Sequence, residues 1–307
     1  MPFIIKKLHV KEETKAFLFL IQNFNYSQRD AQRVISKGRL LINGEPMLNS
    51  SKMVQGVVEL IMFEPSTRGL NALHVEDNFV VFNKPSGVLI HPQNRNTQYS
   101  LVDELKYQYG MDANIAHRID QETSGLVLCA RNKEYEKKLK LLFQNREIEK
   151  HYLAFVHGKV KKDIFIDEPL LRKEDESAIV RMVVKVHPDG KESQTLITPL
   201  EYYPDLNITL VDAKPHTGRQ HQIRVHLFHV KHPIVGDPIY AQKESNILKF
   251  LDKEISKEQR IELSGSSRLL LHASQLSFTC NGNKYSIKSD NEFKEETLIH
   301  LRNKLFT

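Results

Sequence analysis

The chain has 307 residues, 40% of them hydrophobic and 27% charged, with a formal net charge of +6. That is enough apolar material for one large domain or two unequal ones, and it excludes a chain disordered by composition. The basic balance permits a polyanionic partner without requiring one.

From the N-terminus, Met1 to Val10 carries only short apolar pieces broken by Lys6 and Lys7. It reads as neither a signal peptide nor a membrane span, and no other segment approaches spanning length, so a soluble, cytoplasmic protein is expected. A monomer is expected as well. Ser27-Gln28-Arg29-Asp30 opens a helix, with Ser27 as N-cap and Asp30 at the capping-box position. Val34 and Ile35 supply its apolar face and Gly38 its stop; Arg39 to Pro46 then reads as a strand with an Asn43-Gly44 turn. Arg29, Arg33 and Lys37 recur every fourth residue as one basic stripe, which Arg39 extends into the strand. A stripe of this kind is by default a solvated helix face. Over residues 1–63, however, nine Lys and Arg stand against five Asp and Glu, so +4 of the total +6 is concentrated there.

Residues 64–72 read as a linker punctuated by Pro65 and Gly69. Beyond it strand-like runs dominate: Phe79 to Phe82, Gly125 to Ala130, Tyr152 to Val156, Ile179 to Val186, Ser193 to Leu200 and Ile208 to Ala213. Helical spacing predicts helices over Lys133 to Glu149, with Arg146 in the same series as Leu139 and Leu142, and over Thr217 to Val230. Ala241 to Ser267 is polar and helix-prone, as a surface insertion would be. Strands and helices do not alternate as β-α-β units, so an α+β fold with a mixed or antiparallel sheet is expected. Cys129 and Cys280 lie in apolar strand-like runs and read as buried free thiols.

The block His117-Arg118-Ile119-Asp120-Gln121-Glu122-Thr123-Ser124-Gly125-Leu126 sets an acid on a polar turn at the mouth of an apolar run. A loop Asp usually just accepts backbone hydrogen bonds, but such a turn can also present a catalytic carboxylate. Four more segments accompany it in order: Asn83-Lys84-Pro85-Ser86-Gly87 with His91-Pro92; Lys150-His151-Tyr152 through Gly158; Gly218-Arg219-Gln220-His221-Gln222-Ile223-Arg224-Val225-His226; and Gly236-Asp237-Pro238-Ile239-Tyr240. The set, spanning about residues 75 to 280, closely resembles the RluA-type pseudouridine synthases. Ile119 replaces the usual Leu, and Ala241 stands where Gly is usual. The helix–Gly–strand–Asn-Gly order of residues 12–63 resembles the αL RNA-binding domain of a small-subunit ribosomal protein, although Lys15-Ala16-Phe17-Leu18 stands where that module's R-L-D-x-F-L opening would be. The resemblances divide the chain into an αL-type RNA-binding domain (1–63), a linker (64–72) and a catalytic domain (73–307).

The resemblance implies isomerisation of uridine to pseudouridine in structured RNA, with large-subunit ribosomal RNA the first expectation and transfer RNA the alternative. The reaction breaks N1–C1′ and joins C5 to C1′ without redox change or an added group, so no cofactor or metal is expected. By resemblance Asp120 is the essential Asp, acting as nucleophile at the sugar or as a base. Arg224 holds it charged through a planar, bidentate pair. Tyr152 stacks on the target base, and Arg118 enters the space the flipped uridine leaves. His117 orients the turn. Lys84, Pro85 and Gly87 shape the pocket floor, with Lys84 a candidate phosphate contact, and Arg29, Arg33, Lys37 and Arg39 are candidate RNA contacts. His216, His221 and His226 repeat every five residues, a spacing that spreads them around a helix instead of converging them on a metal. Two rivals remain: a non-catalytic RNA-binding or ribosome-assembly factor, and a carboxylate glycosidase with Glu122 as the second acid.

Overall fold

The run Ser-Gly-Leu-Val-Leu-Cys-Ala has no polar–apolar alternation, and in the computed structural model this strand, Ser124–Ala130, is buried at every position. Such a run needs cover on both faces and belongs inside a sheet. The structure describes residues 2–172, 183–289 and 292–303. Among them a ten-stranded sheet runs in the order Ile164–Asp167, Gln194–Tyr203, Ile208–Pro215, Glu149–His157, Leu271–Cys280, Ser124–Ala130, Phe79–Lys84 and Ala72–Val75, with Asn283–Lys288 and Asn114–Ile115 paired alongside. The pairing of Leu271–Cys280 with Ser124–Ala130 is parallel and the rest are antiparallel, which makes the sheet mixed and the fold α+β, as expected.

Gly125 allows the parallel crossing. Its φ is +106°, and a Cβ there would lie 2.3 Å from the Ala273 carbonyl oxygen. The central strand can therefore approach its neighbour only where the Thr-Ser-Gly corner ends in glycine.

Two predicted helices are shorter in the structure. Lys133–Gln144, capped by Asn132 accepting the Tyr135 amide, stops before Arg146. The Arg146 amide donates to Phe143 O (3.2 Å) and the Glu147 amide to Leu142 O (2.9 Å), a Schellman ending with Arg146 at φ +62°. Arg146 thus leaves the apolar face on which helical spacing set it. The second helix spans Gln222–His229 and not Thr217 to Val230, because His221 takes φ +54°. Residues before it follow the Gln222 side chain, whose Oε1 accepts from Thr217 Oγ1 (2.6 Å) and the Arg219 amide (3.0 Å). The polar stretch after Tyr240 holds two helices, Glu244–Leu251 and Lys257–Ser264, the second closed by a Ser256/Gln259 capping box. Of the strand predicted over Ile179 to Val186, residues 179–182 lie outside the described residues, and Val184–Val186 pairs with Leu170–Arg172. Cys129 and Cys280 are both free and buried. No helix among the described residues is long and apolar enough to cross a membrane.

The chain divides into two units, Met1–Arg68 with Pro92–Tyr107, and Gly69–His91 with Gln108–Thr307. The first holds the helices Ala16–Phe24 and Gln28–Ser36 and a four-stranded sheet ordered Phe3–Lys15, Met53–Phe63, Leu40–Ile42, Glu45–Met47. Ser27 caps the second helix by accepting the Asp30 amide (3.1 Å), and Asn43 and Gly44 both turn through positive φ, as their sequence requires. The opening strand has no counterpart in the sequence prediction. It is an edge strand exposed at most positions, so Lys6, Lys7 and Lys11 break its alternation while staying in water. Residues 92–107 join this unit through Arg95, which donates to Gly38 O (2.8 Å), and through buried Glu104, which accepts from Tyr99 (2.6 Å), the Arg68 amide (2.8 Å) and Thr67.

Candidate active site

The turn before the central strand is pinned on several sides. His117 accepts the Leu128 amide on Nε2 (3.0 Å) and stacks on Phe143 with ring centroids 4.3 Å apart. Burial, with the charge of Lys150, pushes its pKa down to about 3, so the ring is neutral at neutral pH. The Asn83-Lys84-Pro85-Ser86-Gly87 segment holds the other side. The Gly87 amide donates to Gln121 O (2.9 Å) and Ser86 Oγ to Glu122 O (2.6 Å).

Lys84 corrects an expectation. Its side chain is completely buried, and Nζ donates to the carbonyls of Pro85 (2.9 Å), Val88 (2.9 Å) and Gln121 (3.0 Å). All three ammonium protons are used, so it cannot contact a phosphate; it ties the glycine loop to the Asp120 turn. Burial lowers its pKa to about 7 against the opposing pull of Glu122 and Asp120.

Asp120, Arg118, Tyr152, Arg224 and His117 all line one cavity of about 600 Å³ in the larger unit. Asp120 Oδ2 lies 3.2 Å from Arg224 Nη1 and 3.6 Å from His221 Nε2. Among the described residues no protein group donates to its Oδ1. Tyr152 is 9% exposed, and burial with the nearby Asp120 charge raises its pKa, so the phenol stays protonated at neutral pH. Arg118 is exposed at the rim.

The expected bidentate pair of Arg224 exists, but with a different carboxylate. Nε and Nη2 grip Asp237 Oδ2 and Oδ1 at 2.8 and 2.9 Å, and only Nη1 reaches Asp120. The reason is burial. Arg224 is 3% and Asp237 1% exposed, so the guanidinium needs a full counter-ion in the interior, whereas Asp120 stays partly open. Asp237 also accepts the Ile239 and Tyr240 amides at 2.9 and 3.0 Å. Although burial opposes both charges, each partner more than offsets it, raising the Arg224 pKa and lowering that of Asp237.

Three cations of the cavity wall were not singled out by sequence: Arg146, Lys150 and Arg219. With Arg118 and Arg224 they make five cations against the single carboxylate of Asp120. Burial, then Arg146, lowers Lys150 to about 8; its Nζ donates to Thr217 O (3.2 Å). Lys150 and Arg219 lie inside the motifs quoted above, so their place in those motifs was the available signal; Arg146 carried none. Glu122 turns away into an ion pair with Arg260 (2.6 Å), which leaves Asp120 without the paired acid a glycosidase needs. Arg29, Arg33 and Lys37 lie exposed in the other unit, Arg33 paired with Asp30 at 2.9 Å, while Arg39 is half-buried over Phe3. His226 is held by Thr195 (2.8 Å) and Glu168 O (3.0 Å), and His216 meets the edge of Phe165.

Neutral buried histidines give this unit a defined pH response. His117 is lowered to about 3 and His221 and His272 to about 4, in each case first by burial. The unfolded chain takes up these protons near pH 6.5, the folded chain only near 3–4. Stability is therefore expected to fall as pH drops from about 6.5 towards 4, by up to roughly 1.4 kcal/mol per pH unit for each histidine. His151, raised by Glu149 and Asp212 in spite of burial, works in the opposite sense. Denaturant midpoints at neutral and mildly acidic pH check this; equal midpoints would mean that these rings protonate within the folded state.

Comparison with known proteins agrees with the fold. Residues 78–229 match the family described as RNA pseudouridylate synthase. An "Uncharacterized RNA pseudouridine synthase" of Helicobacter pylori (strain ATCC 700392 / 26695) is 38% identical over 94% of this chain and 94% of its own. "Dual-specificity RNA pseudouridine synthase RluA" of Pasteurella multocida (strain Pm70) is 37% identical over 71% of this chain and 91% of its own. "Ribosomal large subunit pseudouridine synthase D" of Buchnera aphidicola subsp. Acyrthosiphon pisum (strain APS) is 30% identical over 82% of each. Among solved structures, "Human RNA Pseudouridylate Synthase Domain Containing 1" shares the fold, with a TM-score of 0.58 at 23% identity over 78% of this chain and 98% of that one. The chain belongs to the RluA-type RNA pseudouridine synthases and is an RNA-modifying isomerase.

Proposed function

We propose that the enzyme flips one uridine out of structured RNA into the Asp120 cavity, with large-subunit ribosomal RNA as substrate, and that Asp120 acts at the sugar. One observation carries the reading: a carboxylate with one oxygen held by Arg224 and the other without a protein donor among the described residues, in a cavity whose other charged side chains are all cations. Attack of Asp120 on C1′, or removal of the C2′ proton to give a glycal, both require an ionised, accessible oxygen there. The freed uracil turns over the face of Tyr152, C5 joins C1′, the C5 proton leaves and N1 gains one, so atoms balance without a cofactor. Arg118 at the rim fills the space the base vacates. The ribosomal assignment is supported by the name of the Buchnera relative; transfer RNA is the alternative. The enzyme would work as a monomer in the cytoplasm, and the cavity cations would draw the phosphates flanking the uridine.

The N-terminal segment 1–63 is proposed to grip RNA phosphates through Arg29, Arg33, Lys37 and Arg39. Replacing Arg29 and Arg33 together by alanine is expected to weaken RNA binding and reduce the slope of log affinity against log salt by up to about 2, as two fewer phosphates release counterions. An unchanged slope would make the stripe a solvated face.

Tritium release from C5-labelled uridine in unmodified ribosomal and transfer RNA tests the reading. Release from ribosomal RNA alone is expected. Tight binding without release from either RNA would favour a binding factor.

A further inference from the structure

His221 stands at φ +54°, a conformation a side chain with a β-carbon seldom adopts, at the start of the helix that carries Arg224. Its ring bridges two oxygens: Nδ1 is 3.0 Å from the Tyr240 hydroxyl and Nε2 is 3.6 Å from Asp120 Oδ2. Hydrogen counting gives the tautomer. The Tyr240 hydroxyl accepts the Val184 amide (3.2 Å) and has one proton to donate; among the described residues the acceptor in reach is His221 Nδ1. A buried phenol donates, so Nδ1 accepts and the ring proton sits on Nε2, facing Asp120. Burial, then the Arg224 charge, lowers His221 to about 4, and burial raises Tyr240, so neither group changes charge at neutral pH.

We propose that His221 is a positioning residue: its Nε2–H and Arg224 Nη1 together hold Asp120 Oδ2, so that Oδ1 alone is presented to the reacting sugar. This rests on the role proposed for Asp120. Two donors on one carboxylate oxygen fix the rotation of the group, which a single contact from Arg224 leaves free. At 3.6 Å the Nε2–Oδ2 contact lies just beyond hydrogen-bond length, a gap that a small rotation of the carboxylate closes.

Glutamine and asparagine separate the two ring nitrogens. The amide nitrogen of His221→Gln lies where Nε2 does, and that of His221→Asn where Nδ1 does. In single-turnover tritium release at saturating RNA, His221→Asn is expected to slow the chemical step by about 10- to 100-fold, the scale of a hydrogen bond to a charged group. RNA affinity should not change, and His221→Gln should return to within a few-fold of the parent. Rescue by Asn and not Gln, or a loss confined to RNA affinity, would make His221 a structural prop and overturn the inference. Should the variants fold poorly, long-range proton–nitrogen spectra of the unsubstituted protein read the tautomer directly, and an Nδ1–H ring would overturn it. Asp120→Asn is measured alongside. If that variant turns over, the role of Asp120 fails; if it is dead while the His221 variants run at the parental rate, only the present inference fails.

Discussion

Asp120→Asn is expected to lower tritium release by roughly 10⁴-fold or more, the scale on which an essential nucleophile or base acts. RNA affinity should stay within about threefold, since phosphate contacts supply most of it. The substitution is nearly isosteric, and the amide oxygen can still accept from Arg224 Nη1, which lies 3.2 Å from Oδ2 in the parent. Arg224 also keeps its bidentate partner Asp237, so no buried guanidinium is stranded and the fold should melt close to the parent. What disappears is the negative charge at the open oxygen. Filter binding and tritium release on the same samples separate the two quantities. More than about a hundredth of parental activity in Asp120→Asn would remove this carboxylate from the chemistry.

The turn that carries Asp120 was legible because its signals are local. Thr-Ser-Gly ahead of an unbroken apolar run marks a corner feeding a buried strand, and Gly125 makes the crossing against Ala273 that no other residue would permit. The Ser27 cap and the Asn43-Gly44 turn were legible for the same reason. What escaped depends on partners distant in sequence or on a single backbone angle. Arg146 fits a helical series by number, yet its positive φ turns it out of the helix towards the cavity, and periodicity does not register that. The opening strand Phe3–Lys15 is held by backbone pairing with Met53–Phe63, so its side chains need not alternate. Lys84 looks like a surface cation until three carbonyls from two loops close around it. Arg224 was found, but its strongest partner lies 13 residues away, beyond the end of its helix, where helical spacing gives no hint.

That partner sets the second large effect. Asp237→Asn keeps volume and an oxygen for the Ile239 and Tyr240 amides, but leaves the Arg224 guanidinium, 3% exposed, with Asp120 as its one carboxylate among the described residues, through a single contact. Breaking a buried pair from one side costs about 3–5 kcal/mol, which for a unit of this size lowers the melting temperature by roughly 10 °C. Activity should fall with it, because Arg224 is no longer held in place and can close on Asp120. Since pairing depresses the Asp237 pKa, its contribution to stability is complete above the unfolded value of about 4 and is lost as pH falls below that, towards the lower folded value. The variant should lack this part of the parent's acid sensitivity. Adding Arg224→Met to Asp237→Asn removes the stranded charge and should recover part of the lost melting temperature while leaving tritium release at the floor. A single variant melting within about 2 °C of the parent would mean that Asp120 alone suffices as counter-ion, and that the buried pair does not anchor the site.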